Sequence, residues 1–459
     1  MDGFSSFFAI LMLCAGLFLS VRINFFQFTH LGCAIKTALG LGQKRSARSK
    51  QKFDASGVTP FQALSSALGG SIGTANIAGV ASAIAIGGAG AVFYMWLAAL
   101  VGMGVKFCEI VLALRYREKR GGQWCGGAML YIEKGFRKSN TGSRFLQSVS
   151  KPLAAGFALF GLLASSVGTP LVQSNTIAMS VNDAVLLFLP KAEQKTVCII
   201  AGAATAALVG IVILGGIQRI GKASEIIVPF MAIGYIAICI IVLSRFGSRI
   251  LPAFRDIFSG ALGIKQAVGG AAGFGAARAL RIGTARGVYS NEAGVGSAPM
   301  AHACANTNDP VKQGMYGIFE VFADTIVMCT MTALVVLASG IPLQAGGEIS
   351  GTSIALRAFS TVLPERTTGI FLAVSMLLFA YTSLLGWAVY GMQCAKYLFG
   401  KRAQLPFCIL YTVLTFAGAL MKVDFVWTAG ETLNYLMAAP NMLALLVLNR
   451  EVRRETAFA

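Results

Sequence analysis

Charge is what this chain lacks most. Asp, Glu, Lys and Arg together make up 12% of its 459 residues, against about 25% in soluble proteins. Acidic residues are the scarcer kind, 19 against 38 basic ones. Histidine is limited to His30 and His302, and none of the ten cysteines forms a C-x-x-C pair. A zinc or disulfide framework is therefore not expected. Most cysteines (Cys14, Cys108, Cys198, Cys239 and Cys329 among them) lie in apolar runs, where a buried, inert thiol is the default. No H-E-x-x-H or P-loop pattern occurs, which argues against a membrane-embedded enzyme and against built-in ATP drive.

What is abundant is apolar sequence. Hydrophobic residues make up 56% of the chain, and the mean hydropathy is +0.71. The expected class is an all-α polytopic membrane protein, with the lipid bilayer as its surroundings and no nucleic-acid partner. The net charge of +19 sits mainly in short loops between apolar spans, where the positive-inside rule accounts for it. A membrane helix needs about 20 apolar residues. Eleven stretches qualify: 3–22, 60–83, 89–114, 152–180, 196–215, 224–245, 264–283, 312–339, 367–397, 405–422 and 426–448. The first has no basic segment before it and reads as a retained helix rather than a signal peptide.

Basic residues follow the odd-numbered spans: Lys36 to Lys52, Arg117 to Arg144, Arg219 and Lys222, Arg278 to Arg286, Lys396 to Arg402, and Arg450 to Arg454. The intervening loops are poorer, except for Arg245, Arg249 and Arg255. This alternation predicts an outside N-terminus and a cytoplasmic C-terminus.

The second span carries Gly69-Gly70-Ser71-Ile72-Gly73-Thr74-Ala75-Asn76 at its middle. Each glycine costs a helix about 1 kcal/mol relative to alanine, and Ser, Thr and Asn compete for backbone hydrogen bonds. Exposed backbone inside a membrane is tolerated only where protein or water satisfies it. One reading is a broken helix that offers amides to an anion and carbonyls to a cation. The other is close helix packing through the Gly69/Gly73 pair. A similar stretch, Gly269 to Gly275, lies five spans later. Two interrupted helices at corresponding positions point to an inverted-repeat transporter. The expected repeats are 60–245 and 264–448, five helices each, with 3–22 an added N-terminal helix.

The chain resembles the alanine/glycine:cation symporter family, the sodium:alanine symporters. The carrying motifs are IGTANIAGVA (72–81), YMWLAALVGMGVKFCE (94–109), QSN (173–175), VPFM (228–231), RGVYSNEAGVGSAP (286–299), VFADT (321–325) and LLGWAVYG (384–391). The resemblance implies a leucine-transporter-type fold, with ten core helices in two inverted repeats. It also implies sodium-driven import of a small neutral amino acid of alanine or glycine type across the plasma (inner) membrane, with sodium the coupling ion and no organic cofactor. The chain departs from the family at four positions. The family usually has Gly at Ala75 and Pro at Ala89, often Phe at Ala271, and Thr at Ser383. Ala75 and Ala271 bear on which substrate fits.

A zwitterion's carboxylate suits free amides at a helix break, here those of Gly73, Thr74, Ala75 and Asn76. The resemblance places Gln173 in the pocket, although its amide would equally serve an interhelical hydrogen bond. The second break would add Ala271, Gly273 and Phe274. Sodium favours hard, neutral oxygens. The fold resemblance makes Thr382 and Ser383 sodium ligands, opposite backbone carbonyls of the Gly69–Ser71–Ile72 turn, although adjacent hydroxyls in a helix also back-bond. Trp387, one turn beyond Ser383, would wall the pocket or serve packing. Lys106 and Glu109 are spaced to pair along one helix face. An intramembrane carboxylate at Asp324 is either a structural ligand of the 290–294 segment or a proton-coupling group. Glu292 has no assignable role at this level. A passive channel lined by glycine backbone is the competing class.

Overall fold

The computed structural model describes residues 2–41, 57–138, 144–263, 272–343, 351–421 and 423–457, with side chains for 10–41, 57–138, 144–263, 275–343, 351–421 and 432–457. The one sheet among them is a two-stranded antiparallel hairpin, β1 (Glu118–Arg120) and β2 (Gln123–Cys125). Helices form the rest of the architecture: α1 (Asp2–Arg22), α2 (Pro60–Ser71), α3 (Ala78–Gly87), α4 (Gly90–Tyr116), α5 (Ala128–Lys138), α6 (Arg144–Leu186), α7 (Gln194–Ile213), α8 (Gly216–Ser244), α9 (Gly247–Ala261), α10 (Ala272–Asn291), α11 (Pro310–Ser339), α12 (Gly351–Ser360), α13 (Glu365–Phe399), α14 (Gln404–Gly418) and α15 (Val423–Ala457).

Seven helices among the described residues are long and apolar enough to cross a membrane: α4, α6, α7, α8, α11, α13 and the Thr432–Ala457 part of α15. Eleven were expected; α1 enters the comparison only from Ile10 onward, and the other three differences have local causes. The second expected span is interrupted between α2 and α3. The start of the seventh, 264–271, lies outside the described residues. Its helix α10 runs on to Asn291, with Arg278, Arg281 and Arg286 within it. α14 has 15 residues, which is about 22 Å at 1.5 Å per residue and short of the ~30 Å hydrocarbon core. The outward faces suit lipid. On α8, Ile226, Phe230 and Ile233 are each about 70% exposed at helical spacing, an apolar stripe that water would not favour.

α4 is the central helix, packed against α10 and α11. α13 packs against α6, α2 and α8, and α2 packs against α8. The start of α2 is fixed by a reciprocal cap. Gln62 N donates to Thr59 Oγ1 at 3.0 Å, and Thr59 N donates to Gln62 Oε1 at 3.1 Å, with Pro60 as the first helical residue. This satisfies helix-end donors that would otherwise be orphaned. Just before the cap, Val58 N donates to Cys304 O and Asn306 N donates to Val58 O. The entry to α2 is thereby tied to the segment after α10.

Candidate functional site

α2 stops at Ser71, and the chain does not resume regular helix until Ala78. Ile72 turns extended, at φ −71° and ψ 100°. The break is held by Asn76. Its Oδ1 accepts Gly73 N at 2.9 Å, and its Nδ2 donates to Asp324 Oδ1 at 2.8 Å and Asp324 O at 3.2 Å. Its carbonyl accepts Thr332 Oγ1 at 2.8 Å. Of the four amides expected to be available, Asn76 N also bonds Gly73 O. Of the four, the amides of Thr74 and Ala75 have no hydrogen-bond partner among the described residues.

The close approach of α2 and α13 comes from glycine. A Cβ on Gly69 would lie 3.2 Å from the Thr382 carbonyl oxygen, and one on Gly73 would lie 2.8 Å from Ser383 Oγ. Ser383 Oγ donates to Ile72 O at 3.4 Å. Thr382 Oγ1 back-bonds to Leu378 O and Phe379 O, both at 3.0 Å, and leaves its lone pairs free to accept. Gly69, Ile72, Thr382 and Ser383 are thus brought together as a set of neutral oxygens, a chemistry suited to sodium. Ser71 is turned elsewhere: its hydroxyl donates to Glu320 Oε1 at 2.9 Å. Residues 69–73 also spell G-x-S-x-G, but a helix rather than a strand precedes the serine, and the serine bonds a carboxylate instead of a base.

A cavity of about 40 Å³ opens beside this break, lined by Gly73, Ala75, Gln173, Ser383 and Trp387 among others. A water needs roughly 10–15 Å³ on the same measure, so the room suits a few small groups. Gln173 faces Thr74, whose Oγ1 lies 3.5 Å from Gln173 Oε1. The helix carrying Gln173 has a π-helical stretch, Ala164–Gly168, just before Thr169-Pro170. Proline lacks the amide that an α-turn would use, and such bulges recur at functional sites. A second one, Phe322–Cys329, carries Asp324. Ala271 lies outside the described residues, and Gly273 and Phe274 fall in the first turn of α10, where side chains are not described.

Sequence reasoning missed Glu292, Tyr289, Thr169 and Asn434, which also line the cavity. The signal for Glu292 was available as a lone carboxylate between glycines in an apolar segment. Residues 290–305 are buried throughout, so the stretch is an internal turn. Gly294 and Gly296 adopt φ of +86° and +85°, a region that glycine reaches without strain.

The buried charges pair differently from the expectation. Lys106 Nζ lies 3.2 Å from Glu320 Oε1, not on Glu109. His302 Nε2 sits 3.1 Å from Glu320 Oε2. Glu109 Oε1 instead accepts Gly296 N at 3.1 Å and Asn441 Nδ2 at 2.5 Å. Asp324 reaches the 290–294 segment through a side chain: Ser290 Oγ donates to Asp324 Oδ2 at 2.7 Å. Thr325 Oγ1 donates to the same oxygen at 2.8 Å. Among the described residues, no group of three or more His, Cys, Asp or Glu could hold a metal ion.

The profile described as the sodium:alanine symporter family matches residues 3–457. The "Sodium/alanine symporter AgcS" of Methanococcus maripaludis is 38% identical over 97% of this chain and 92% of its own length. In Bacillus subtilis, the "Probable sodium/glutamine symporter GlnT" is 34% identical over 96% of this chain and 85% of its own. Two solved structures share the fold with a TM-score of 0.50 each. One is MhsT in complex with L-phenylalanine, at 14% identity over 86% of this chain and 97% of that one. The other is a sodium-coupled sialic acid symporter, at 13% identity over 92% of this chain and 85% of that one.

Proposed function

This chain belongs to the sodium:alanine symporter family, a family of transporters and not of enzymes, and from that premise we propose that it imports a small neutral amino acid, alanine or glycine, together with sodium. It is an integral membrane protein of the sodium-coupled amino-acid symporters, with a leucine-transporter-type fold. The observation that carries the finer reading is the small cavity at the interrupted helix. Ala75, whose amide has no partner among the described residues, and Ser383 line it, and the free amide of Thr74 and the oxygens of Ile72 and Thr382 belong to residues next to these two. Amides at a break favour a carboxylate, and clustered neutral oxygens favour a monovalent cation.

In this reading Thr74, Ala75, Gln173 and Trp387 hold the substrate, Gly73 and Asn76 shape the break that presents those amides, and Ala271, Gly273 and Phe274 complete the pocket at the start of α10. Gly69, Ile72, Thr382 and Ser383 hold sodium, with the Ser71 carbonyl beside them. The two five-helix repeats, 60–245 and 264–448, would rock around this site in alternating access. The N-terminus lies outside the inner membrane and the C-terminus in the cytoplasm. A second reading, proton coupling, rests on Asp324, a buried carboxylate whose hydrogen-bond partners are all neutral.

Proteoliposomes with an inward sodium gradient are expected to accumulate alanine, and a proton gradient alone is expected to drive little. Equal drive by protons would move the coupling to Asp324. Ser383→Ala should raise the sodium concentration for half-maximal uptake about tenfold, as expected for one lost cation ligand of ~1.4 kcal/mol. Uptake at saturating sodium should change far less. An unaltered sodium curve in this variant would remove Ser383 from the ion site.

A further inference from the structure

An amino-acid zwitterion has two charged ends, and the amides of Thr74 and Ala75 answer only the carboxylate. The ammonium needs acceptors. Among the described residues lining the cavity, Glu292 is the one charged side chain. Its backbone sits at φ +54°, a conformation rare for a long side chain. Such strain persists where the surroundings over-determine it, commonly at functional sites. The carboxylate is also aimed from two sides. Trp387 Nε1 donates to Oε1 at 2.9 Å, and Ser297 Oγ donates to Oε2 at 2.5 Å. Both donors are neutral, so they orient the charge without cancelling it. The buried cation Lys106 is paired with Glu320 instead. A second, independent observation concerns Asn434. Asn434 lines the same cavity, and its buried Oδ1 has no hydrogen-bond partner among the described residues. Buried acceptors are normally satisfied, and a ligand donor entering the cavity would satisfy this one.

We propose that Glu292, with Asn434 Oδ1, recognises the substrate ammonium, and that Trp387 and Ser297 are positioning residues for the Glu292 carboxylate. The proposal rests on the small-amino-acid reading above and deepens it. It makes the site selective for a cationic nitrogen next to a carboxylate. A site built to bond a polar group rejects the analogue lacking it far more strongly than it discriminates among apolar groups.

The test is competition against alanine uptake in proteoliposomes at saturating sodium. Lactate, which replaces the ammonium of alanine by a hydroxyl, is compared with unlabelled alanine. The quantity read is the ratio of their inhibition constants, which does not depend on how much protein is folded. The wild type is expected to prefer alanine by about 100-fold or more. Glu292→Gln should cut that ratio at least tenfold, mainly by raising the KM for alanine, while Glu292→Asp should keep most of it. Trp387→Phe keeps the ring and drops the indole donor, and should give an intermediate ratio. Lactate competing within tenfold of alanine in the wild type would overturn the proposal. So would Glu292→Gln keeping the wild-type ratio. Should Glu292→Gln not fold, the wild-type ratio and the Trp387→Phe shift decide. A wild type that takes up alanine but does not discriminate defeats only this inference. A wild type that takes up no amino acid defeats the functional reading beneath it as well.

Discussion

Lys106→Met is expected to lower the melting temperature of the purified protein steeply and to abolish amino-acid uptake. Lys106 and Glu320 are both fully buried and 3.2 Å apart. Removing one partner of a buried pair leaves an uncompensated charge, at a cost of about 3–5 kcal/mol. Methionine fills nearly the same volume, which keeps the effect electrostatic. The double variant Lys106→Met, Glu320→Gln should recover the larger part of the stability, because it removes both charges and leaves an amide to meet Ser71 and His302. Thermal unfolding of the four proteins in detergent, read as a cycle, gives the coupling. If Lys106→Met unfolds at the wild-type temperature, the ion pair is not what holds α4 to α11.

That pair also illustrates how far the sequence could be read. Lys106 and Glu109 stand three residues apart, so their pairing was a local inference. The outcome turned on distant residues. Glu320 on α11 and Asn441 on α15 each supply a partner, and Gly296 adds an amide to Glu109. Spacing says which residues are neighbours on one helix and nothing about the helix opposite. The break at Ile72 was legible because its cause is local, in glycines that weaken the helix and in polar residues that compete for its hydrogen bonds. Asn76 illustrates the limit of that reading. Its place at the break was visible, but its role as the clamp between Gly73 and Asp324 depends on α11. Glu292 was harder still. Its neighbours in sequence are small, and its partners Trp387 and Ser297 are only assembled by the turn at Gly294 and Gly296. At α14 the helix is shorter than the apolar stretch 405–422 from which a span was expected.

Gly386→Ala is expected to remove transport while leaving a protein that still inserts. Gly386 lies on α13 against the end of α2. A Cβ there would stand 2.6 Å from Gly70 N, 2.7 Å from Gly70 Cα and 2.8 Å from Ser66 O. These are backbone atoms, and no side-chain rotation relieves the clash. One of the two helices must move, and overpacking of this kind costs about 1–3 kcal/mol. The displacement falls on the proposed ion and substrate site, because Ser383 is one turn before Gly386 and Trp387 follows it directly. Moving α13 away from α2 separates Ser383 and Thr382 from Ile72 and Gly69, so the sodium dependence of any residual uptake should shift upward. Gly234 on α8 supplies the contrast. Nothing lies within 4 Å of the position its Cβ would take, and alanine there gains helix propensity of about 1 kcal/mol. Gly234→Ala should therefore transport normally. Uptake assays on both variants at matched membrane levels separate a general intolerance of substitution from a specific contact. Wild-type uptake by Gly386→Ala would mean that α2 and α13 have slack at the break, and that their close approach does not set the geometry of the ion site.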